Sequence, residues 1–203
     1  MEQKFPVPSL LKEISGYFHE AGFSAYLVGG AVRDFFLKKE ASDWDIATDA
    51  QPQEVMRLFR RTIPTGIEHG TVTVIYKNKH IECTTFRTEA DYTDGRHPAA
   101  VAYTATIEED LARRDFTMNA IAVSLPDGAI VDPFNGRADI RTGRIRTVGN
   151  PFDRFSEDGL RPVRAVRFAA QLGFTVDTET LQAIPKALHI TKKISIERFR
   201  EEF

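Results

Sequence analysis

The sequence is poor in cysteine and in long apolar runs. Its 203 residues contain one cysteine, Cys83, which excludes an internal disulfide and predicts a reducing compartment, the cytoplasm. No apolar run approaches the ~18 residues of a membrane span, so we expect no membrane-spanning segment. The N-terminus, MEQKFPVPSLLKEI, has no long apolar core, so a signal peptide is not expected.

The sequence has no large excess of charge of either sign, since its formal net charge is −2. This balance argues against a protein that coats nucleic acid without specificity. The charge is unevenly placed, because residues 137–167 carry eight arginines, no lysine and only four acids. Arginine is suited to forked hydrogen bonds with phosphates and base edges. A solvated helix face explains the same composition equally well.

The pattern of apolar residues predicts a mixed α/β head followed by a helical segment. Strands are predicted at SAYLVGG, DWDIAT and AIVDP, a hairpin at GTVTVIYKNKHIECTTFR, and helices at 9–22, AVRDFFLKK and QPQEVMRLFR. Residues 87–100 are rich in polar residues, glycine and proline and predict a loop. After about residue 137 the strand patterns end. The last predicted helix begins near Ser195 and is unfinished at Phe203, which predicts that more protein follows.

Asp43 and Asp45 flank Trp44 in one predicted strand. Because side chains alternate along a strand, we expect both carboxylates on one face and the indole on the other, towards the core. Two carboxylates about 4 Å apart repel by about 4 kcal/mol at an effective dielectric constant of 20. A divalent cation removes this cost, and oxygen ligands favour Mg²⁺. For Asp-x-Asp taken alone, an exposed acidic pair is the commoner explanation.

Gly29 and Gly30 lie between a predicted strand and a predicted helix. Glycines there let the backbone approach a phosphate, and the first amides of the helix point at the anion. Arg33, in the first turn, is placed to reach the same phosphate. Neither a Walker loop nor a dinucleotide fingerprint is present. Glu82 lies on the polar face of its predicted strand and is either a third metal-binding carboxylate or a surface glutamate. Together these features predict a nucleoside triphosphate site with magnesium.

Nine segments of the chain occur in the order of a known family: LVGGAVRD, SDWDIATDA, HGTVTV, TTFRTEADYTDGRHP, EEDLARRDFTMNAIA, VDPFNGRADI, IRTVGNPFDRFSEDGLR, RAVRFAAQLGF and ISIERFREEF. They resemble the class II tRNA nucleotidyltransferases, the CCA-adding enzymes, which belong to the poly(A) polymerase family in the DNA polymerase β nucleotidyltransferase superfamily. The resemblance implies an α+β fold. A polymerase β-like head with a small mixed sheet flanked by helices would occupy residues 1–140, and the start of an all-helical neck residues 141–203.

The resemblance also implies a reaction, the addition of CCA, or of its terminal A, to the 3′ end of tRNA. CTP and ATP would be the substrates, and pyrophosphate would be released. Two Mg²⁺ ions would be held by the catalytic residues Asp43, Asp45 and Glu82. Nucleotide-binding roles would fall to Gly29, Gly30, Arg33, Arg114, Asp115, Asp158, Arg161, Arg164 and Arg167.

Asp158 and Arg161 would read the edge of the base. Because they are three residues apart, we expect them to be neighbours on one helix face. A carboxylate accepts from an exocyclic amine, and a guanidinium donates to a ring nitrogen or carbonyl. Cytosine and adenine both present an amine beside an acceptor, whereas uracil and guanine present the reverse, so CTP and ATP would be selected.

The chain departs from the family pattern in two respects. Gly159 stands where proline or alanine is common, and Pro162 stands where leucine or methionine is common. Proline costs about 3 kcal/mol in a helix interior but is tolerated in the first turn. The helix is therefore expected to begin near Leu160 or to kink there. The second departure is length, because the further helical domains with which the family grips tRNA are not among these 203 residues.

Three alternatives remain open at this point. A bacterial poly(A) polymerase of the same superfamily typically has a basic stretch after Asp-x-Asp, whereas this chain has IPTGIEHGTVTV. Enzymes that add only CC lack a flexible loop after the third carboxylate. Residues 87–100 correspond to that loop, which favours CCA or A-only addition. The chain could also be a non-catalytic fragment that binds nucleotides or RNA.

Overall fold

The computed structural model describes residues 4–40, 43–92 and 98–202. The chain forms two compact units whose segments alternate along the sequence. The first unit consists of Met1–Thr88, Ala102–Leu111 and Ile121–Pro133, and the second of Glu89–Val101, Ala112–Ala120 and Phe134–Phe203. The predicted division into a head at 1–140 and a neck at 141–203 concerns function and stays a prediction.

Helices and strands alternate as far as residue 58, five strands then follow one another, and helices with short strands make up the rest of the described residues. The strands are β1 (Ala25–Val28), β2 (Trp44–Thr48), β3 (Thr62–Gly66), β4 (Thr71–Tyr76), β5 (Lys79–Thr85), β6 (Arg87–Tyr92), β7 (Pro98–Tyr103), β8 (Ala122–Leu125), β9 (Ile130–Val131), β10 (Arg144–Ile145) and β11 (Thr175–Val176). The α-helices are α1 (Ser9–Glu20), α2 (Gly30–Phe36), α3 (Pro52–Leu58), α4 (Ile107–Ala112), α5 (Gly136–Thr142), α6 (Pro151–Glu157), α7 (Leu160–Leu172), α8 (Thr178–Thr191) and α9 (Ile196–Glu202). Short 3-10 turns lie at Ile67–His69 and Thr117–Asn119.

A mixed sheet forms the centre of the first unit, with the strand order β3-β4-β5-β2-β1-β8-β9. Strands β2 and β5 are parallel, and the other described neighbours in this sheet run antiparallel. Helices α1, α2 and α3 contact its strands. The predicted mixed sheet flanked by helices is therefore confirmed.

One face of the central strands forms the core of the first unit. Leu27, Ile46 and Cys83 are buried on neighbouring strands, and paired residues of a sheet point to the same side. Trp44 points to this side too, as predicted from alternation, but it is half-buried. It lines a cavity of about 340 Å³ together with apolar residues that include Phe35. Among the described helices, none is long and apolar enough to cross a membrane.

The second unit is mainly helical. Helix α7 contacts α6, α8 and α9. The core of the second unit contains the buried rings of Phe116, Phe155 and Phe168. Phe116 meets Phe168 edge to face, with 5.8 Å between the ring centroids. Phe155 lies on α6 and Phe168 on α7, so the apolar faces of these two helices contribute to one core together with Phe116, which precedes a 3-10 turn.

Two predictions from the sequence are wrong in detail. Residues 87–92 and 98–103 form strands β6 and β7, which pair with each other, where a loop was predicted. The polar residues and the proline of this segment are untypical of strands, so the sequence did not indicate the two-stranded sheet. Residues 93–97 lie outside the described part of the chain. Strands also occur after residue 137, because the two-residue strands β10 and β11 pair in parallel. Such short strands leave no detectable alternation.

The start of α7 resolves the expectation for Pro162. The helix begins at Leu160, so the proline lies in the first turn, where it removes no helical hydrogen bond. Gly159 comes directly before this turn and packs against the end of α8. A Cβ atom at Gly159 would lie 2.8 Å from the carbonyl carbon of Ile190, and Thr191 Oγ1 donates to the Gly159 carbonyl at 3.0 Å.

We predict that Gly159→Ala lowers the free energy of unfolding by about 1–3 kcal/mol, because the added methyl group would overlap backbone atoms that cannot rotate away. Urea unfolding followed by circular dichroism measures the change. Gly16→Ala is a matched control, because this α1 position has open space around its Cβ. That variant should gain about 0.5–1 kcal/mol. Equal stability of Gly159→Ala and the unchanged chain would contradict the close packing.

Candidate active site

The parallel pair β2 and β5 places two of the predicted catalytic carboxylates side by side. Asp45 pairs with Glu82 in register, and adjacent strands lie about 4.8 Å apart. Both side chains therefore point to the face of the sheet opposite the core. Asp43 comes one residue before β2, and by alternation its side chain belongs to the same face. Asp43 and Glu82 are exposed, and Asp45 is half-buried.

The two glycines lie at the same end of the sheet as these acids. Strand β1 runs antiparallel to β2, and its last residue, Val28, pairs with Asp45. The chain that leaves β1 therefore passes beside the start of β2. Gly29 has φ = 73°, a left-handed conformation that favours glycine, and Gly30 opens α2. The predicted strand, glycine turn and helix are confirmed, and the register explains why the turn lies near Asp43.

Arg33 is engaged within its own helix. Its Nε donates to Asp34 Oδ1 at 2.9 Å, and its Nη2 lies 2.8 Å from the same oxygen. A phosphate at the glycine turn would have to draw this guanidinium away from Asp34. The role of Arg33 in binding phosphate stays a prediction.

Asp43, Asp45 and Glu82 offer a metal ion only carboxylate oxygens, which are hard ligands of the kind that Mg²⁺ prefers. Mg²⁺ needs one or two protein carboxylates and completes its coordination shell with water and substrate phosphates. Among the described residues, however, no three His, Cys, Asp or Glu side chains are gathered closely enough to hold a metal ion. Mutual repulsion of carboxylates favours such a spread arrangement. The chemistry of the three carboxylates suits magnesium and the strand register puts them on one face, but their closure around a metal ion stays a prediction.

The carboxylate of Asp115 is the centre of a hydrogen-bond network in the second unit. Oδ2 accepts from Arg164 Nε at 2.8 Å, and Oδ1 accepts from Phe116 N at 2.7 Å and from Asn119 Nδ2 at 3.1 Å. Burial acts to raise the pKa of Asp115, but the Arg164 charge and these hydrogen bonds outweigh it and lower that pKa. Arg114, the preceding residue, is half-buried.

The expectation that Asp158 and Arg161 share a helix face is wrong. Asp158 lies between α6 and α7 in extended backbone, with φ = −140° and ψ = 115°, because Pro162 fixes the start of α7 just after it. Its carboxylate binds Arg198 of α9 through two donors, Nη1 to Oδ1 at 3.4 Å and Nη2 to Oδ2 at 3.1 Å. Its Oδ1 also accepts from Leu160 N at 2.9 Å.

Arg161 points away from Asp158. Its guanidinium pairs with Glu157 and donates to the carbonyls of Arg154 at 2.9 Å and Arg113 at 3.3 Å. The side chain is only 9% exposed, compared with 19% for Asp158. In this structure Arg161 therefore holds backbone segments together, and base reading by Arg161 stays a prediction.

Arg164 and Arg167 lie one turn apart on α7 and share one anion. Arg164 Nη1 lies 3.3 Å from Glu202 Oε2, and Arg167 Nε pairs with Glu202 Oε1. Both guanidiniums also lie over the ring of Phe168, at 5.3 and 4.1 Å from its centroid, which adds a cation–π contact.

The structure thus collects the predicted residues in two groups. Six lie at one end of the first unit's sheet: Gly29, Gly30, Arg33, Asp43, Asp45 and Glu82. Six lie in the second unit: Arg114, Asp115, Asp158, Arg161, Arg164 and Arg167. Prediction from the sequence missed Arg198 and Glu202, which contact three of the second group. The sequence did contain a signal for them, because Arg198 and Glu202 are four residues apart and so lie on one face of the predicted last helix.

Comparison with known proteins identifies the family. Residues 25–146, more than half of the chain, match the family described as the poly A polymerase head domain. The chain belongs to this family. Residues 173–203 match a second family, described as the probable RNA and SrmB- binding site of polymerase A. The head-domain match contains all six residues of the first group and, from the second group, Arg114 and Asp115. The other four residues of the second group lie between the two matches.

Several curated relatives are identical to this chain at about half of the aligned positions. It is 53% identical over 184 residues to the CCA-adding enzyme of Bacillus subtilis (strain 168), covering 91% of this chain and 46% of that protein. It is 51% identical over 194 residues to the CCA-adding enzyme of Lactobacillus johnsonii, covering 96% and 48%. The chain therefore spans about half the length of these relatives.

Solved structures agree with this assignment. The Bacillus stearothermophilus CCA-adding enzyme in complex with CTP superposes with a TM-score of 0.87 at 45% identity, covering 97% of this chain and 48% of that one. The Thermotoga maritima CCA-adding enzyme complexed with tRNA gives 0.78 at 25% identity, covering 95% and 45%. The expected α+β fold and the resemblance to CCA-adding enzymes are confirmed.

We predict that Asp115→Asn lowers the free energy of unfolding by about 3 kcal/mol at neutral pH, because Arg164 would lose a buried partner. The lowered pKa of Asp115 stabilises the folded chain above the ordinary carboxylate pKa of about 4, and this stabilisation is lost as the pH falls through the folded-state pKa. The difference between the two proteins should therefore shrink on acidification. Urea unfolding at several pH values between about 7 and 2 measures it.

Asp153→Asn serves as the matched control, because Asp153 is an exposed acid on α6. This variant should differ from the unchanged chain by less than about 0.5 kcal/mol at every pH. If the destabilisation by Asp115→Asn were the same at low and neutral pH, the carboxylate charge would not be the cause.

Proposed function

We propose that this chain is the N-terminal catalytic part of a template-independent RNA nucleotidyltransferase. It adds CCA, or the terminal A, to the 3′ end of tRNA from CTP and ATP and releases pyrophosphate. The proposal includes a cytoplasmic location, which the single cysteine favours. Support comes from the CCA-adding relatives, two of whose structures contain CTP and tRNA respectively.

The observation that carries the proposal is the register of β1, β2 and β5. Asp45 is paired with Glu82 on one side and with Val28 on the other, and the Gly29–Gly30 turn follows Val28 directly. A turn suited to phosphate and a row of carboxylates are thereby held at one end of one sheet. A triphosphate bound at the turn would lie beside the acids that bind its magnesium.

The reaction forms one bond and breaks one bond. The 3′ oxygen of the RNA attacks the α-phosphorus of the nucleotide, the bond to the bridging oxygen of the β-phosphate breaks, and pyrophosphate leaves while the hydroxyl proton passes to solvent. Bound magnesium would lower the pKa of the hydroxyl and stabilise charge on the leaving group. Asp43, Asp45 and Glu82 would hold it, and the amides after Gly29 would orient the triphosphate.

Nucleotide selection belongs to the second unit in this proposal. Asp115, Asp158, Arg164 and Arg167 lie there with their charged groups held by defined partners. Charged groups fixed before the ligand arrives cost less to order on binding. The carboxylate of Asp158 is the group best suited to accept from the amine of cytosine or adenine.

We predict that the unchanged chain extends tRNA that ends before CCA when it is supplied with CTP and ATP. Asp45→Asn should lower the rate of extension at least ~100-fold, because charge stabilisation in the transition state is lost. Extension is measured with labelled CTP, ATP, UTP or GTP, singly and mixed. Glu109→Gln, an exposed acid on α4, is the control and should extend normally.

Each rival function has its own outcome in this assay. Long adenylate tails would indicate a poly(A) polymerase. Addition of A only to tRNA ending in CC would indicate the A-adding activity. Normal extension by Asp45→Asn would refute the assignment of the metal ligands.

We further predict that these 203 residues alone bind CTP and ATP with Mg²⁺ but bind tRNA weakly, because the remaining half of the relatives' length is expected to supply most phosphate contacts. Calorimetric titration measures both affinities, and Asp43→Ala should weaken nucleotide binding. Tight, salt-resistant binding of tRNA by this chain would contradict the prediction. Nucleotide binding without any extension would favour the non-catalytic alternative.

A further inference from the structure

The cavity beside Trp44 lies on the face of the sheet opposite the candidate catalytic acids. Its described lining is mainly apolar and comes from the N-terminal segment, β1, α2 and the start of β2. The apolar lining residues are Phe5, Pro6, Pro8, Leu27, Ala31, Phe35 and Trp44. Two exposed charged residues, Lys39 and Glu40, complete the described lining.

The N-terminal wall of this cavity is held in place at both ends. Phe5 N donates to the Gly128 carbonyl at 3.0 Å, and Lys12 N donates to the Pro8 carbonyl at 3.1 Å, where α1 begins. The Phe5 ring also packs against Phe35 of the opposite wall, with 4.3 Å between the ring centroids. Because both walls are anchored, a ligand would enter a preformed cavity without the cost of ordering the chain.

The lining determines the chemistry of a suitable ligand. Three aromatic side chains, Phe5, Phe35 and Trp44, line the cavity, and aromatic rings pair favourably with a further ring. The volume of about 340 Å³ is typical of the smaller sites that bind small molecules. The charged side chains of the described lining, Lys39 and Glu40, have opposite signs, so together they do not favour a charged ligand. The lining therefore favours an uncharged planar aromatic molecule.

The cavity is adjacent to both halves of the candidate active site. Leu27 and Ala31, which line it, lie on either side of the Gly29–Gly30 turn. Trp44 lies between the two aspartates that we expect to bind magnesium. A ligand packed against these three side chains therefore touches the two segments that would hold the triphosphate and its metal ion.

Occupation of the cavity would favour the described arrangement of β2. In this arrangement, no three of the described acids are gathered closely enough to hold a metal ion. Binding of a nucleotide with magnesium would draw Asp43 and Asp45 towards one ion, and Trp44 between them would move with the strand. A ligand that fits one of two arrangements opposes the binding of a ligand that needs the other.

We propose that this cavity is a regulatory site that binds an uncharged planar aromatic molecule and thereby weakens the binding of nucleotide with magnesium. The weakening rests on the proposed nucleotidyltransferase function, whereas the binding of the aromatic molecule rests on the cavity alone. Because coupling between two sites is reciprocal, the nucleotide weakens the binding of the aromatic molecule by the same factor.

Trp44 is the only tryptophan of the chain, so tryptophan fluorescence reports directly on this cavity. The probe is 4-bromobenzyl alcohol, an uncharged flat ring whose bromine quenches tryptophan emission on contact. We expect saturable quenching with a half-effect below about 1 mM. The ring-free bromide 2-bromoethanol should quench only in proportion to its concentration. If quenching by 4-bromobenzyl alcohol also failed to saturate, the proposal would be overturned.

Charged analogues of the probe test the chemistry of the ligand. The carboxylate 4-bromobenzoate and the cation 4-bromobenzylammonium have the same ring and bromine. We expect each to bind at least ~fivefold more weakly than the alcohol, because a charge loses hydration in an apolar cavity. Tighter binding of either ion than of the alcohol would overturn the assignment of an uncharged ligand.

Two variants locate the binding of the probe. Ala31→Leu places a larger side chain in the cavity and should weaken binding at least ~fivefold, because the volume is reduced. Phe35→Leu removes one ring of the lining and should also weaken binding. Ala170→Leu, at an exposed alanine of α7, is the matched control and should leave binding unchanged. Thermal unfolding shows which variants are folded, and unchanged binding by a folded Ala31→Leu or Phe35→Leu variant would contradict the location.

Calorimetric titration of this chain with ATP and Mg²⁺ measures the coupling. We expect ATP to bind about fivefold more weakly when 4-bromobenzyl alcohol is saturating. Equal affinity for ATP with and without the alcohol would overturn the regulatory role. If ATP does not bind this chain at all, the proposed function fails and the weakening fails with it, whereas the fluorescence of Trp44 still decides whether the cavity binds the aromatic molecule.

Discussion

The parallel pairing of β2 with β5 is the constraint on which the candidate site depends. A parallel pair fixes which residues lie opposite each other, so Asp45 and Glu82 meet although 36 positions in the sequence separate them. A slip of one residue would turn Glu82 to the core and Cys83 to the surface. The buried neighbours Ile46 and Cys83 oppose such a slip. Burial on one face of the sheet thus determines the chemistry on the other.

The second unit follows a different principle, in which charge is balanced across the chain. The arginine-rich stretch 137–167 has an excess of positive charge in the sequence. In the structure its partners include acids from outside the stretch: Asp115, Asp177 and Glu202. The arginines that the sequence suggests as an open binding surface are in fact largely engaged. A ligand that bound to this unit would therefore have to exchange or extend existing ion pairs.

The sequence was informative where one local pattern decides the structure. Alternation identified the strands around Asp45 and Glu82, and Pro162 located the start of α7. It failed where contacts between distant segments decide. Spacing by three residues suggested that Asp158 and Arg161 are neighbours on a helix. The helix is interrupted between α6 and α7, however, so Asp158 forms an ion pair with Arg198 and Arg161 forms one with Glu157. Strands of two residues, such as β10, carry no periodic signal at all.

Pro162 has a consequence for the amides at the start of α7. A helix begins with backbone N–H groups that have no partner within it. Here the amide of Leu160 donates to the Asp158 side chain, the amide of Arg161 donates to the Asp158 carbonyl, and Pro162 has no amide to satisfy. A leucine or methionine at this position would add a further backbone N–H group that needs an acceptor. The proline thereby limits the capping duty of Asp158, whose second oxygen accepts from Arg198 instead.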